Sequence, residues 1–450
     1  MHRFAPSIAL AALLIAGAIA PRPAAAQICP GDCARDGQVG ITELMTAVAL
    51  ALNGGPTTAC DSADVDGDGL VLVHELLAAV GAAQNGCPEP FYPRDDVLRL
   101  NQIQVLGSHN SYHIQAEPPV FQAIADFSLF LAQTLEYTHL PLADQFDTQG
   151  IRQIELDVFA DPDGGLYAQP LGLEIITGDP EARIAELEAP GFKVLHVQDI
   201  DYNTTCRTFV ECLQVVKAWS DAHPLHVPMT ILVEAKDDVL PPNLGFDFVV
   251  PIEIGDPELD VIDSEIRSIF PAAQLITPDD VRGTHATLAE AVRAGEWPTL
   301  GEARGRVLFC LDNGGDVLDA YVTGHPSLRG RVMFTSSPTD SPEAAFRKLN
   351  DPIADFDEIQ AAVRDGFIVR TRADGDTFNA RENDTTQRDA AITSGAQFIS
   401  TDYPVPNPAF GTDYQVQIPG GAPARCNPLN TAEEECAALD IENPAHLTLR

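Results

Sequence analysis

Basic residues are scarce in this chain. Only 27 Lys and Arg stand against 66 Asp and Glu in 450 residues, a formal net charge of −39. That balance excludes nucleic-acid binding and docking on an anionic membrane by bulk electrostatics. Long apolar runs are scarce as well. Beyond the amino terminus none reaches the roughly 18 uninterrupted apolar residues that a membrane-spanning helix needs. An enzyme this acidic repels an anionic substrate unless a local cation reverses the field.

Hydrophobic residues make up 45% of the chain, enough to bury a sizeable core. Met1-His2-Arg3, the apolar stretch Ser7 to Ala20 and the Ala24-x-Ala26 site before Gln27 read as a secretory signal peptide over residues 1–26. A secreted protein, extracellular or periplasmic, is therefore expected. The nine cysteines suit an oxidising destination. Cys29, Cys33, Cys60 and Cys87 cluster, Cys206 lies near Cys212 and Cys426 near Cys436. Cys310, in the apolar run Val307 to Leu311, reads as a buried free thiol. Four bridges and one core thiol are expected, and spacing leaves their connectivity open.

Residues 29–87 read as a separate module. Asp64-x-Asp66-x-Asp68-Gly69 followed by Glu75 matches a twelve-residue calcium loop. Asp64, Asp66 and Asp68 supply carboxylates, Leu70 a carbonyl and Glu75 the bidentate last ligand. A degenerate copy starts 32 residues earlier, with Asp32, Asp36 and Glu43 in place but Ala34 at the third position. Helix-like runs follow, Leu44 to Leu52 and Leu76 to Ala83. The tandem resembles a dockerin or EF-hand repeat, and that resemblance allows a protein partner for the module.

Pro88 to Arg94 is a proline-rich linker, and from Asp95 strands alternate with longer amphipathic stretches. The first strand candidates are Ile103–Ser108, Ile151–Ile154, Phe192–Leu195 and Met229–Val233. Later ones are Ala273–Ile276, Arg306–Leu311, Val332–Thr335, Phe367–Thr371 and Gln397–Ser400. Helical stretches such as Thr208–Ser220 and Ala286–Ala294 fall between. The pattern predicts an α/β fold, a (β/α)8 TIM-like barrel over residues 95–440, behind a small α-helical EF-hand/dockerin-like module. The tail from Pro404 reads as irregular structure.

Chemistry concentrates at the carboxyl ends of the first four strands, with His109-Asn110, Glu155-x-Asp157, His196 and Glu234 in turn. Parallel barrels build active sites there. Glu155 and Asp157 are two apart on a strand and share a face. With Glu234 and the Asn110 amide oxygen they form an oxygen-rich set suited to Ca²⁺ rather than zinc. The alternative is structural ion pairs, Arg152 with Glu155 and Lys236 with Glu234. His109 and His196 are the acid/base candidates. His113, His139, His223, His226, His285 and His325 lack such context. Asp199 is suited to orient an imidazole or to cap the following turn. Lys236, Arg370 and Arg372 are candidate phosphate-binding cations or charge partners of the acidic mouth, and Asp402 closes the last strand. Metal-assisted histidines with phosphate-holding cations imply phosphodiester cleavage.

The order His-Asn, Glu-x-Asp, His, Glu resembles the phosphoinositide-specific phospholipase C superfamily, and more narrowly its bacterial, secreted, calcium-dependent branch. Leu106 to His113, Gln153 to Asp157, Leu195 to Asp199 and Ser400 to Pro404 carry the likeness. It implies that His109 is the general base and His196 the general acid, with Asn110, Glu155, Asp157 and Glu234 on Ca²⁺. The implied reaction is attack of the inositol 2-hydroxyl on phosphorus, releasing diacylglycerol and a cyclic phosphate. Metal-independent relatives carry an arginine where this chain has Asp157. The implied substrate is a phospholipid at a membrane surface, with phosphatidylinositol favoured because no basic cluster awaits a polyphosphorylated headgroup. The alternatives are a glycerophosphodiester or sphingolipid phosphodiesterase on the same barrel, or a non-catalytic calcium-dependent adhesion or scaffold protein.

Overall fold

The computed structural model describes residues 29–54, 56–65, 67–87, 90–241, 247–420, 423–431, 437 and 439–449. The expected signal segment, Asp66 and Cys436 lie outside the described residues. The chain forms two compact units, Met1–Pro90 with Thr448–Arg450, and Phe91–Leu447. No described helix is long and apolar enough to cross a membrane.

In the first unit each acidic loop runs into a helix, α1 (Ile41–Asn53) or α2 (Val73–Asn85). Glu43 and Glu75 sit in the third helical position. Their carboxylates accept the backbone N–H of Gly40 and Leu72, both at 2.7 Å, which caps each helix start. The apolar core is small, built on Ala47, Cys60, Ala63 and Val71. Disulfides Cys29–Cys87 and Cys33–Cys60 brace it, as a unit this small needs.

The second unit is an α/β barrel. Its strands are β1 (Ile103–Ser108), β2 (Ile151–Phe159), β3 (Met229–Ala235), β4 (Val307–Leu311), β5 (Met333–Thr335), β6 (Phe346–Lys348), β7 (Ile368–Arg372) and β8 (Phe398–Thr401). Consecutive strands pair in parallel from β1 to β5 and from β6 to β8, and β8 returns to β1. A single parallel bridge, Ser336 to Phe346, joins the β5 and β6 sides. Residues 336–345 form no helix, whereas the other crossovers do. All nine residues of β2 are buried, as expected of a strand with one face in the barrel and the other under helices. Among the described cysteines, Cys206–Cys212 is a disulfide, Cys426 is disulfide-bonded and Cys310 is a buried free thiol in β4.

Three expectations are corrected. Phe192–Leu195 is not a barrel strand. Only Lys193–Val194 is extended, and it runs antiparallel to the end of β2, opposite Val158 and Phe159. Ala273–Ile276 contributes just Leu275–Ile276, a short strip beside β4. The ring position is filled by β6, whose Phe-Arg-Lys sequence carries no apolar run. The tail is also more regular than expected. Ala424–Cys426 pairs antiparallel with the first half of β1, below the point where β2 begins.

Gly107, two residues before His109, allows β1 and β2 to approach. A Cβ there would lie 1.9 Å from Oε1 of Gln153, a wholly buried side chain. Gly107→Ala is expected to cost about 1–3 kcal/mol, because Gln153 has no space to retreat into. Urea unfolding of the two proteins checks this, and an unchanged midpoint would refute the tight approach.

Candidate active site

The turn after β1 carries the first two site residues. Asn110 has φ +42°, a conformation that non-glycine residues adopt sparingly and that clusters at functional turns. Ser111 ties the turn to β2. Its N–H donates to the Glu155 carbonyl at 3.0 Å, and its hydroxyl accepts the Glu155 N–H at 2.9 Å. The turn thereby lies against β2 at Glu155, with Asn110 one residue before that contact.

Glu155 and Asp157 alternate inward on β2, and Glu234 on β3 stands directly opposite Asp157 in the register. One carboxylate oxygen from each of the three lies within 4.8 Å of the others. Like charges so placed repel. Burial first, then neighbouring carboxylates, push Glu155 up to about 7 against the pull of Arg370. Asp157 is pushed well above the ordinary range, again by burial first and then by Glu234. Neither Asp157 oxygen finds a hydrogen-bond donor at normal geometry, and nor does Asn110 Oδ1. The Asn110 Nδ2–H is already committed to the Tyr137 hydroxyl at 2.9 Å. Unpartnered buried oxygens carry a large desolvation cost unless something positive fills the site. Three carboxylates and an amide oxygen, with no nitrogen or sulfur ligand, fit a hard divalent cation such as Ca²⁺.

The two histidines are each oriented by a carboxylate. His109 Nδ1 lies 2.8 Å from Asp402 Oδ1, and Arg372 donates to the other Asp402 oxygen at 3.0 Å. Burial, reinforced by Arg372, holds the His109 imidazole down to about 3 despite Asp402. The ring is therefore neutral, with its proton on Nδ1 toward Asp402 and Nε2 left as a base. His196 Nδ1 lies 2.7 Å from Oδ2 of the buried Asp201. The imidazoles keep 17% and 20% side-chain exposure, whereas Asp402 and Asp201 keep 3% and 0%. This is the arrangement of paired acid–base groups with fixed tautomers. Asp402→Asn and Asp201→Asn are each expected to lower kcat about 10- to 100-fold with KM little changed, since each releases one ring orientation. Steady-state kinetics of the two variants tests this, and a change confined to KM would contradict it.

The expected cations divide. Lys236 Nζ sits 3.5 Å from Glu234 and 3.7 Å from Asp157 at the open side of the carboxylates. Arg372 is partly exposed and held by Asp402. Arg370 is only 1% exposed, hydrogen-bonded to Glu155 and to Asn350 and Ser400 at 2.6 and 3.1 Å. It is a buried partner of the acidic wall. Arg152 pairs with Glu442 and not with Glu155. Asp199 orients no imidazole and instead caps loops through the N–H groups of Leu171 and Val249.

Sequence reasoning missed Asp201, the true partner of His196, and set aside His113 and His139. The His139 Nε2–H donates to the His109 carbonyl at 2.8 Å, and His113 contacts Asp201. It also missed Lys348 on β6, which pairs with Asp312 at the mouth. No spacing pattern marks these residues, since their partners are remote in the chain or lie in a turn without a regular period.

A parallel barrel with one carboxylate-oriented histidine at the carboxyl end of β1 and a second in the segment between β2 and β3 belongs to the α/β-barrel enzymes of acid–base chemistry. Residues 98–428 match the family model described as "Phosphoinositide phospholipase C, Ca2+-dependent". The chain belongs to that family; it is a phosphodiesterase and its cofactor is Ca²⁺. Among solved structures it is similar to the calcium-dependent phosphoinositol-specific phospholipase C of a Gram-negative Pseudomonas species, at 18% identity and TM-score 0.44, over 75% of this chain and 98% of that one. It is also similar to the Ca²⁺-dependent phosphatidylinositol-specific phospholipase C of Streptomyces antibioticus, at 19% identity and TM-score 0.43, over 70% and 97%. No curated protein matches the chain.

Proposed function

We propose that this protein is a secreted phospholipase C that cleaves phosphatidylinositol to diacylglycerol and an inositol cyclic phosphate. The observation that carries the reading is the pair of carboxylate-oriented histidines beside three carboxylates and an unpartnered Asn110 oxygen. His109 Nε2 takes the proton of the inositol 2-hydroxyl as that oxygen bonds to phosphorus. The bond from phosphorus to the glycerol oxygen breaks, and His196 supplies the proton this oxygen needs. A hydroxyl tethered beside the phosphorus needs no covalent enzyme intermediate. Asn110, Glu155, Asp157 and Glu234 are the residues that would hold Ca²⁺, which would supply charge stabilisation at the phosphate. Lys236 and Arg372, both partly exposed, are the cations available to the phosphate. Headgroup release from phosphatidylinositol vesicles with calcium and with chelator tests the reading; equal turnover in both would end it.

The substrate lies in a membrane, and the surface suits that. Phe127 and Phe130 are both 63% exposed and Leu129 58%. They sit between β1 and β2, in the segment that leaves the carboxyl end of β1 after His109. With a net charge of −39, contact with lipid must be apolar. Phe127→Ser combined with Phe130→Ser is expected to cut turnover on vesicles about 10-fold or more while sparing a soluble monomeric substrate. Equal losses on both substrates would contradict the membrane role.

The first unit is read as a calcium-binding module. Asp64, Asp68, the Leu70 carbonyl and Glu75, with Asp66, form the complete loop, and Asp32, Asp36 and Glu43 the degenerate one. Buried Asp64 Oδ1 has no partner, which supports a cation in the second loop. Helices α1 and α2 expose equivalent apolar stripes, Ile41-Met45-Val48 and Val73-Leu77-Val80. Such stripes support an attachment role toward a protein partner. The disulfides support the exported location that the 1–26 segment suggests.

A further inference from the structure

His113 is wholly buried beneath the mouth, and its ring stacks on Tyr137 with centroids 4.1 Å apart. Both of its ring nitrogens face acceptors. Nδ1 lies 3.0 Å from the Tyr137 carbonyl, and Nε2 lies 3.0 and 2.9 Å from the two oxygens of Asp201. A carbonyl oxygen has no proton to give. A neutral imidazole has a single N–H and would leave a lone pair pointing at one of these oxygens. The contact is resolved only by a second proton on the ring or by a proton on Asp201. In either case the ring of His113 is tied to Asp201 by a hydrogen bond.

The same Asp201 Oδ2 that receives His113 stands 2.7 Å from His196 Nδ1. The two imidazoles meet edge to face, with centroids 5.5 Å apart. One carboxylate therefore serves two rings, one buried and one at the mouth. We propose that His113 is a positioning residue, a buried ring that locks Asp201 and, through it, the ring of His196. Held from the buried side by His113, Asp201 has one position from which to fix the His196 Nδ1–H. The proposal rests on the catalytic role read for His196.

The test is a double-mutant cycle on phosphatidylinositol in detergent micelles, using the full chain with calcium. His113→Phe alone is expected to lower kcat roughly 10- to 100-fold with KM within about twofold. In a His196→Ala background it is expected to cause no further loss, because the ring it positions is gone. An equal loss in both backgrounds, or none in either, overturns the proposal. Full activity in His196→Ala alone instead refutes the role of His196, a separate and recognisable failure. Should His113→Phe not fold, His113→Asn takes its place in the same cycle, with a loss of kcat expected only where His196 is present; an equal loss in both backgrounds overturns the proposal.

Discussion

His109→Ala is expected to lower kcat by about 10²- to 10⁴-fold, the span lost when a positioned general base is removed. The ring makes one strong contact, Nδ1 to Asp402, which leaves Nε2 for the substrate hydroxyl. Burial and Arg372 keep the imidazole neutral, so it is in its base form throughout the working pH range. The side chain is partly exposed and lies at the end of β1, so its truncation should leave the barrel intact. Thermal unfolding and calcium-induced stabilisation are expected to be nearly unchanged while turnover collapses. A variant that keeps more than about a tenth of wild-type kcat removes His109 from the base role.

Asp157→Asn is expected to produce opposite effects on activity and on calcium-free stability. Asp157 is fully buried, opposite Glu234 and two residues from Glu155; neither of its oxygens has a hydrogen bond of normal geometry, and Lys236 Nζ stands 3.7 Å away. With calcium, removing its charge should lower turnover roughly 10²-fold or more and abolish most of the rise in Tm that calcium confers. With chelator, the same substitution should stabilise the protein by about 1–3 kcal/mol, because three crowded carboxylates become two. A structural ion-pair role predicts the reverse, destabilisation with or without calcium.

The pH dependence follows the same charges. The folded Glu155 is raised from 4.5 to about 7 by burial and by the carboxylates around it, against Arg370. A raised acid binds its proton more tightly in the folded state. Its stabilising contribution is complete below the unfolded value and is lost as pH rises through the folded one. In chelator, about 3 kcal/mol should therefore disappear between about pH 4.5 and 7. Glu155→Gln should flatten that slope. Added calcium should stabilise more as pH rises over this window, since its ligands must be ionised. Chemical denaturation at a series of pH values, with and without calcium, distinguishes these outcomes.

Legibility differed along the chain for physical reasons. β3 and β4 are apolar runs, and β1 and β2 set apolar residues between polar ones, so that the histidine and carboxylates at the ends of the first three stand out. The two-residue spacing of Glu155 and Asp157 by itself places both on one face of a strand. β6 was invisible because three residues, two of them cationic, hold no period. Val194 and Leu195 looked like a strand end because they are buried, yet what buries them is a strip folded back over β2. Arg370 and Arg372 share a strand face, but depth in the barrel makes the first a buried partner of Glu155 and leaves the second at the mouth.

By itself the chain's order of residues determined the alternation of strands and helices, the acidic loops, and which side chains leave the carboxyl ends of β1, β2 and β3. Those features depend on local period and on residue type, and both are written along the chain. Only the tertiary structure decided which carboxylate serves which imidazole. Asp402 lies 293 residues from His109 and reaches it because the closing strand β8 lies beside β1. Asp201 rather than Asp199 meets His196 because the turn between them folds back on itself. Such pairings are set by ring closure and by the packing of loops over the mouth, and no local preference of the chain encodes them.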